Sequence, residues 1–120
     1  MSRNHEKLKV FGLADDLVPA VYRVTRGFPA EERFGLQAQL RRAAVSVPTN
    51  IVEGAARRTT REYLHFLVIA LGSASEVRYL LGLARRLGVL NEFEPVDLEP
   101  RYGELARALD ALVRSLEPRP

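Results

Sequence analysis

The stretch TTREYLHFLVIALGSASEVRYLLGLARRLG, residues 59–88, decides the fold class of this chain. Its apolar residues cover most of the circumference of one helix, which we predict over residues 60–87. Thr59 and Glu62 have the spacing of a capping box at the helix start, and Gly88 suits its end. A helix this apolar must be covered on most sides. In a chain of 120 residues, this favours a contact between subunits in addition to packing within the chain.

The preceding residues predict a second long helix, over about residues 29–57. Apolar side chains recur there at three- and four-residue steps, and Pro29 suits the first turn of a helix. Pro48 lies inside this segment, where it removes a backbone donor and crowds the carbonyl group of Ala44. Two outcomes stay open: a bend in one helix, or a break into two helices.

Two further amphipathic segments complete the prediction, a first helix over about residues 8–26 and a fourth over about residues 98–116. Pro19 interrupts the first pattern. An acidic connector, residues 91–100, separates the third and fourth helices. Because short connections between long amphipathic helices favour antiparallel neighbours, we predict an all-α, antiparallel up-down four-helix bundle that forms one domain over residues 1–120.

The composition sets limits on where the protein works. Cysteine is absent, which excludes disulfides, thiolate metal sites and cysteine nucleophiles. This fits a reducing compartment, so we expect a cytoplasmic protein. The N-terminal residues lack the apolar segment of a secretory signal. The longest uninterrupted apolar run, Phe66–Leu71, is shorter than the ~18 residues of a membrane span, and we expect no membrane partner.

No group of residues predicts catalysis or a cofactor. The serine and threonine hydroxyls have no histidine and acid at a recognisable spacing, and a nucleophile needs an activating base. Glu62 and His65 have the spacing found in di-iron carboxylate bundles, but such a site needs two such pairs and two further glutamates. The one other histidine is His5. We therefore predict a non-enzymatic protein with no metal and no cofactor.

Positive charge is concentrated in the middle of the chain. The net charge is +3, and eight arginines but only three acidic residues lie between residues 41 and 86. Planar guanidinium groups suit phosphate and carboxylate. The candidate nucleic-acid-binding residues are Arg41, Arg42, Arg57, Arg58 and Arg61, and Tyr63 offers a face for stacking. No base-reading motif accompanies them, so binding would depend on the nucleic-acid backbone and on salt. The alternative is a solvated helix end.

A polar stripe runs along one side of the second helix, with members at steps of three or four residues. Two polar residues one turn apart match it on the third helix. The stripe, which we assign to assembly, comprises Gln39, Ser46, Asn50, Glu53, Ser73 and Glu76, with Arg42 and Arg57 in the same register. Two interpretations stay open: a hydrogen-bond network that fixes helix register or a subunit contact, and a binding groove edged by arginines.

The runs QLRRAAVSVPTNIVEG (39–54) and ALGSASE (70–76), followed by LGVL (87–90), carry a family resemblance. They resemble the signatures of the 23S rRNA-intervening-sequence proteins, also called four-helix bundle proteins, and the likeness extends over nearly the whole chain. The resemblance implies a bundle that forms a ring-like homopentamer without enzymatic activity. It extends to the accessory variability determinants of diversity-generating retroelements, which are basic pentamers that partner a reverse transcriptase and nucleic acid.

Charge and resemblance together lead to one expectation of function. We expect a non-enzymatic homo-oligomer, from a family whose role is largely unassigned, that binds RNA or DNA through a basic surface. A protein partner such as a reverse transcriptase is implied by the resemblance alone. The alternative is a protein-interaction or scaffolding module with no nucleic-acid ligand.

Overall fold

The computed structural model describes residues 3–5, 8–90 and 98–118. Four α-helices form an antiparallel up-down bundle in which each helix packs against its neighbour in the chain and the last returns to the first. They are α1 (Lys9–Thr25), α2 (Leu36–Ala55), α3 (Thr60–Arg86) and α4 (Leu98–Leu116), with a short 3-10 helix (Ala30–Glu32) before α2. The described residues contain no strand. The predicted fold class is therefore confirmed, while most of the acidic connector lies outside the described residues.

The prediction for the second helix was wrong at its start. The segment after Pro29 forms the 3-10 helix, and α2 begins only at Leu36 and ends at Ala55, not at residue 57. Gly35 precedes it with φ −103° and ψ −107°, which are not helical angles. Glycine is a poor helix former. The Glu32 carboxylate accepts a hydrogen bond from the Leu36 amide at 3.3 Å, in the place of a backbone carbonyl.

Both internal prolines are accommodated without a break. Pro48 lies inside the uninterrupted helix α2, and Pro19 lies inside α1. The possibility that Pro48 divides the second helix is therefore excluded. Pro48 is buried, so its ring contributes to packing even though it removes one backbone donor.

The two ends of α3 carry the predicted capping signals. The Thr59 hydroxyl accepts a hydrogen bond from the Glu62 amide at 3.1 Å and donates one to the Glu62 carboxylate at 3.1 Å. In the usual capping box the carboxylate reaches the backbone amide of the cap residue instead. At the other end Gly88 has φ +72°. The Gly88 amide donates to the Arg85 carbonyl and the Val89 amide donates to the Ala84 carbonyl, both at 3.1 Å. This pair of hydrogen bonds is the Schellman motif.

The core lies along the axis of the bundle and is made mainly of aliphatic side chains from all four helices, with the aromatic rings of Phe28, Tyr63 and Tyr102. Fully buried members include Leu17, Leu40, Ile51, Leu67, Leu81, Leu105, Leu109 and Tyr102. The opposite side of α3 leaves Val68 49% and Ile69 38% exposed. Judged by length and composition alone, α3 is long and apolar enough to cross a membrane. Core helices of soluble proteins share these two properties.

Side chains of α2 secure the end of α1. Thr25 is fully buried; its hydroxyl donates to the Val21 carbonyl and accepts from Arg41 Nε, both at 2.8 Å. Arg41 Nη2 also donates to the Tyr22 carbonyl at 3.3 Å, and its guanidinium lies 4.5 Å from the centre of the Tyr22 ring. Gln37 donates to the Thr25 carbonyl at 2.9 Å. These bonds add side-chain donors to the Tyr22 and Thr25 carbonyl groups, which also accept from the Arg26 and Phe28 amides.

The contact between α2 and α3 is the most extensive one in the bundle. At one end Gly54 faces α3 so closely that an added Cβ would lie 2.9 Å from Phe66 Cβ and 3.2 Å from Tyr63 Cδ1. Further along, the Ser46 and Ser73 hydroxyls are 2.8 Å apart and share a hydrogen bond. We call this contact, with these five residues, the α2–α3 seam. Small residues permit the close approach, and the hydroxyl pair fixes the register.

Replacing Gly54 with alanine should destabilise the protein by about 1–3 kcal/mol, because the methyl group must displace buried side chains. Gly12→Ala is the matched control: it also lies within a helix, but nothing lies within 4 Å of its added Cβ. That variant should gain roughly 0.5–1 kcal/mol from helix propensity. Urea denaturation measures both, and a stabilised Gly54→Ala variant would contradict the close approach.

Candidate nucleic-acid interface

The structure divides the five predicted arginines among three places. Arg41 turns toward α1, where it caps the last turn, so it does not join the others. Arg42 is exposed beside the seam. Arg57, Arg58 and Arg61 gather around the connection between α2 and α3, and all three are exposed. The adjacency of Arg41 and Arg42 in the sequence concealed this division, because adjacent helical residues point about 100° apart.

The end of the bundle formed by Arg57, Arg58, Arg61, His65 and Phe66 is called here the arginine end. The Arg57 guanidinium lies 4.6 Å from the centre of the Phe66 ring, and the His65 ring meets Phe66 edge-on at 5.4 Å. Arg57, Arg61, His65 and Phe66, together with Glu62, line an open groove of about 390 Å³. The groove thus places guanidinium groups beside a half-buried aromatic ring.

The electrostatics of the arginine end are positive. Glu53 approaches Arg57 at 3.7 Å, but both side chains are about half exposed, at 52% and 45%, so the attraction is screened. The Glu62 carboxylate is engaged by the Thr59 hydroxyl. The first turn of α3, which contains Arg61, adds the partial positive charge of a helix N-terminus. These features favour an anionic ligand.

Arg3 and Phe66 belong to this end but were missed by the sequence analysis. The Arg3 backbone amide donates to the Ala55 carbonyl at 2.8 Å, and its guanidinium donates to the Thr60 hydroxyl at 3.3 Å. That guanidinium also lies 4.2 Å from the centre of the Tyr63 ring. No local pattern places an N-terminal residue there, because the contact depends on how α2 and α3 end side by side.

Tyr63 is not the exposed stacking face that its position predicted. It is only 2% exposed and lies beneath Arg3. Burial raises the pKa of its phenol, and the nearby Arg3 charge opposes that shift. Phe66, three residues further along α3, is half-buried and lines the groove instead.

The polar stripe lies at the α2–α3 seam. The Asn50 side chain donates to the Ser46 carbonyl at 2.8 Å and to the Ser46 hydroxyl at 3.0 Å, which extends the Ser46–Ser73 pair into a small network. Arg42 and Glu76 line a cavity of about 280 Å³, whose lining also includes Gln39, Ala43, Ser46 and Ser73. The remaining member, Glu53, pairs with Arg57. The stripe therefore contains both a hydrogen-bonded part and an open part.

The arrangement of acids and histidines bears on metal chemistry. Within the described residues, no three His, Cys, Asp or Glu side chains come together in a way that could hold an ion. Glu62 and His65 share the groove of the arginine end, with Glu62 serving as part of the α3 cap. The chemistry that this surface supports is recognition of phosphate and of flat rings, by guanidinium and aromatic groups.

Comparison with known proteins gives a family but no activity. A family model described as 23S rRNA-intervening sequence protein matches residues 6–111. No curated protein matches the sequence significantly. The chain is similar to a crystal structure of a protein of unknown function, from the S23 ribosomal protein family of Bacteroides thetaiotaomicron VPI-5482, with a TM-score of 0.77 and 20% identity over 88% of this chain and 95% of that one. That likeness shows a shared fold, and the family match covers most of the sequence. The chain belongs to the 23S rRNA-intervening sequence protein family.

Proposed function

We propose that this protein is a non-enzymatic RNA-binding protein that contacts single-stranded RNA through the arginine end. The observation that carries the proposal is the Arg57 guanidinium, 4.6 Å from the centre of the half-buried Phe66 ring that lines the groove, beside the exposed Arg58 and Arg61. Phosphate and base recognition need these two kinds of group at neighbouring positions.

The guanidinium groups would contact phosphates of the RNA backbone, and the Phe66 ring would stack against a base. Such contacts tolerate most sequences, because every nucleotide has a phosphate and every base has a flat face. The open groove suits an unpaired strand whose bases are free to leave their stack. Binding should therefore be weakly selective for sequence and strongly dependent on salt.

The charge supports RNA as the ligand class: the net charge is +3, with arginine as the dominant cation. Arg41 takes no part in this proposal because it caps α1.

Self-association is the second part of the proposal. Four branched aliphatic side chains remain exposed on the two central helices, namely Val45 and Val52 on α2 and Val68 and Ile69 on α3. Burial of such groups drives association. We infer a homo-oligomer that uses the outer side of α3, and the family resemblance suggests five subunits. A scaffolding module without RNA is the alternative, favoured by these same exposed side chains.

Removing the positive charge at the arginine end should weaken RNA binding. The triple variant Arg57→Gln/Arg58→Gln/Arg61→Gln should lose affinity for a fluorescent single-stranded RNA. The slope of log K against log salt should become shallower by about 0.7 for each RNA phosphate that the variant no longer neutralises. Fluorescence anisotropy across a salt series measures both quantities.

The control variant is Arg23→Gln/Arg26→Gln/Arg33→Gln. It removes the same three positive charges from exposed residues around the connection between α1 and α2, at the end of the bundle opposite the arginine end. It should retain most of the affinity and the salt slope. Equal losses of RNA affinity in the two triple variants would show that binding depends only on net charge and not on the arginine end. No binding by the unmodified protein at low salt would exclude RNA as a ligand.

An acidic residue on the outer side of α3 should disrupt the oligomer. Val68→Glu is expected to reduce the molar mass in light scattering to that of one chain, because a carboxylate would be buried at the subunit contact. The control Ala111→Glu, at an exposed position on α4, should leave the mass unchanged. An unmodified protein that is already monomeric at micromolar concentration would contradict self-association.

A further inference from the structure

A second arginine-rich groove lies between α3 and α4, on a different helix pair from the arginine end. Its volume is about 400 Å³, within the range of about 300–1,000 Å³ typical of small-molecule sites. The lining residues include Arg78, Arg85 and Arg86, with Tyr79 and Glu99. None of these arginines was singled out from the sequence as a binding residue.

Among the described residues, Glu99 is the one acidic residue that lines this groove, and it is already held by one arginine. Its carboxylate accepts Arg85 Nε at 3.0 Å and Arg85 Nη2 at 3.4 Å, a two-bond pair. The hydrogen bond from Arg85, together with the charges of Arg85, Arg78 and Arg86, lowers the pKa of Glu99. One carboxylate therefore lies within the field of three guanidinium groups.

Two guanidinium groups lie together at the edge of the groove, where Arg78 of its lining approaches Arg107 of α4 over Gly103. A Cβ added to Gly103 would lie 3.2 Å from Arg78 Cζ and 3.4 Å from Arg107 Nη1, so both groups lie over this glycine. Within the described residues, neither arginine forms an ion pair with a carboxylate. Two like charges placed side by side repel each other unless an anion lies between them. The absence of a side chain at Gly103 leaves the room for them.

The groove also offers a surface for a base. Tyr79 is 61% exposed and lines the groove, and the Arg86 guanidinium lies 6.0 Å from the centre of its ring. Arg86 Nε donates to the Gly82 carbonyl at 3.4 Å, which directs its side chain along the groove. An exposed tyrosine next to guanidinium groups suits an aromatic ligand that carries negative charge.

We propose that the α3–α4 groove binds a phosphate monoester attached to a nucleoside, with the phosphate on Arg78 and Arg107 and the base against Tyr79. The charges favour a monoester over an internal phosphodiester. Among the described residues, the three arginines and one glutamate that line the groove give it a net charge of about +2. A monoester carries ≈ −1.5 to −2 at pH 7, whereas a diester carries one negative charge. The source is a free nucleotide or the 5′-phosphorylated end of an RNA strand.

The test measures binding of adenosine 5′-monophosphate, adenosine, and one short RNA in its 5′-phosphate and 5′-hydroxyl forms, by calorimetry at low salt. We expect the monophosphate to bind at least about tenfold more tightly than adenosine, from charge-assisted hydrogen bonds. A preference for the 5′-phosphate RNA identifies a strand end as a ligand, whereas equal RNA binding assigns the groove to free nucleotides. Equal binding of the monophosphate and adenosine would overturn the proposal.

Variants separate the phosphate contact from the base contact. Arg78→Gln/Arg107→Gln should weaken binding of the monophosphate by about tenfold. Tyr79→Ala should weaken binding of the monophosphate by about fivefold and leave binding of inorganic phosphate unchanged. Glu99→Gln should strengthen binding, because it removes the competing carboxylate. The control Arg23→Gln/Arg26→Gln should bind normally. If that control loses as much affinity as Arg78→Gln/Arg107→Gln, the groove is an unspecific charged surface and the proposal fails.

This groove is tested independently of the arginine end. The triple variant at Arg57, Arg58 and Arg61 should bind the monophosphate like the unmodified protein. If RNA binding is absent but monophosphate binding persists, the proposed RNA function fails while the groove stands. If only the arginine end binds, the groove proposal fails alone.

Discussion

The close approach of α2 and α3 is the constraint on which the rest of the structure depends. A glycine at position 54 lets the two helices come together, and the Ser46–Ser73 hydrogen bond holds their register. Because α2 ends and α3 begins side by side, residues from both helices meet at the same end of the bundle. The arginine end exists only in this register, since Arg57 comes from the α2 side of the connection and Phe66 from the second turn of α3.

The same packing gives neighbouring arginines different roles. Arg41 is directed toward α1, where it supplies hydrogen bonds to the Thr25 hydroxyl and the Tyr22 carbonyl at a buried helix end. Arg42 faces the seam beside Glu76. Arg57 and Arg61 remain accessible around an open groove. A cluster of positive charge in the sequence is thus partly structural and partly available to a ligand, and only the packing distinguishes the two.

Much of the fold follows from local patterns. The apolar periodicity predicted four helices, and the bounds of α1, α3 and α4 agree with the prediction to within one residue. Thr59 and Gly88 carry the start and stop signals of α3 in the sequence itself. The start of α2 was missed because Pro29 suits a helix start and because the interruption depends on the backbone angles of Gly35.

The candidate sites were less predictable because they combine residues from different helices. The polar stripe was visible as a periodicity within α2. By contrast, the Arg3–Tyr63 contact and the meeting of Arg78 with Arg107 depend on which helices are neighbours. Sequence spacing identifies the face of one helix, but it does not say which face of another helix lies opposite.

The central claim is that RNA lies against the arginine end and not against the α1 side of α2. Ultraviolet crosslinking of the protein to single-stranded RNA, followed by mass spectrometry of the peptides, tests this most directly. Crosslinks should occur on the peptide that contains His65 and Phe66, whose rings line the groove. Crosslinks confined to the peptide that contains Tyr22, beneath Arg41, would contradict the claim.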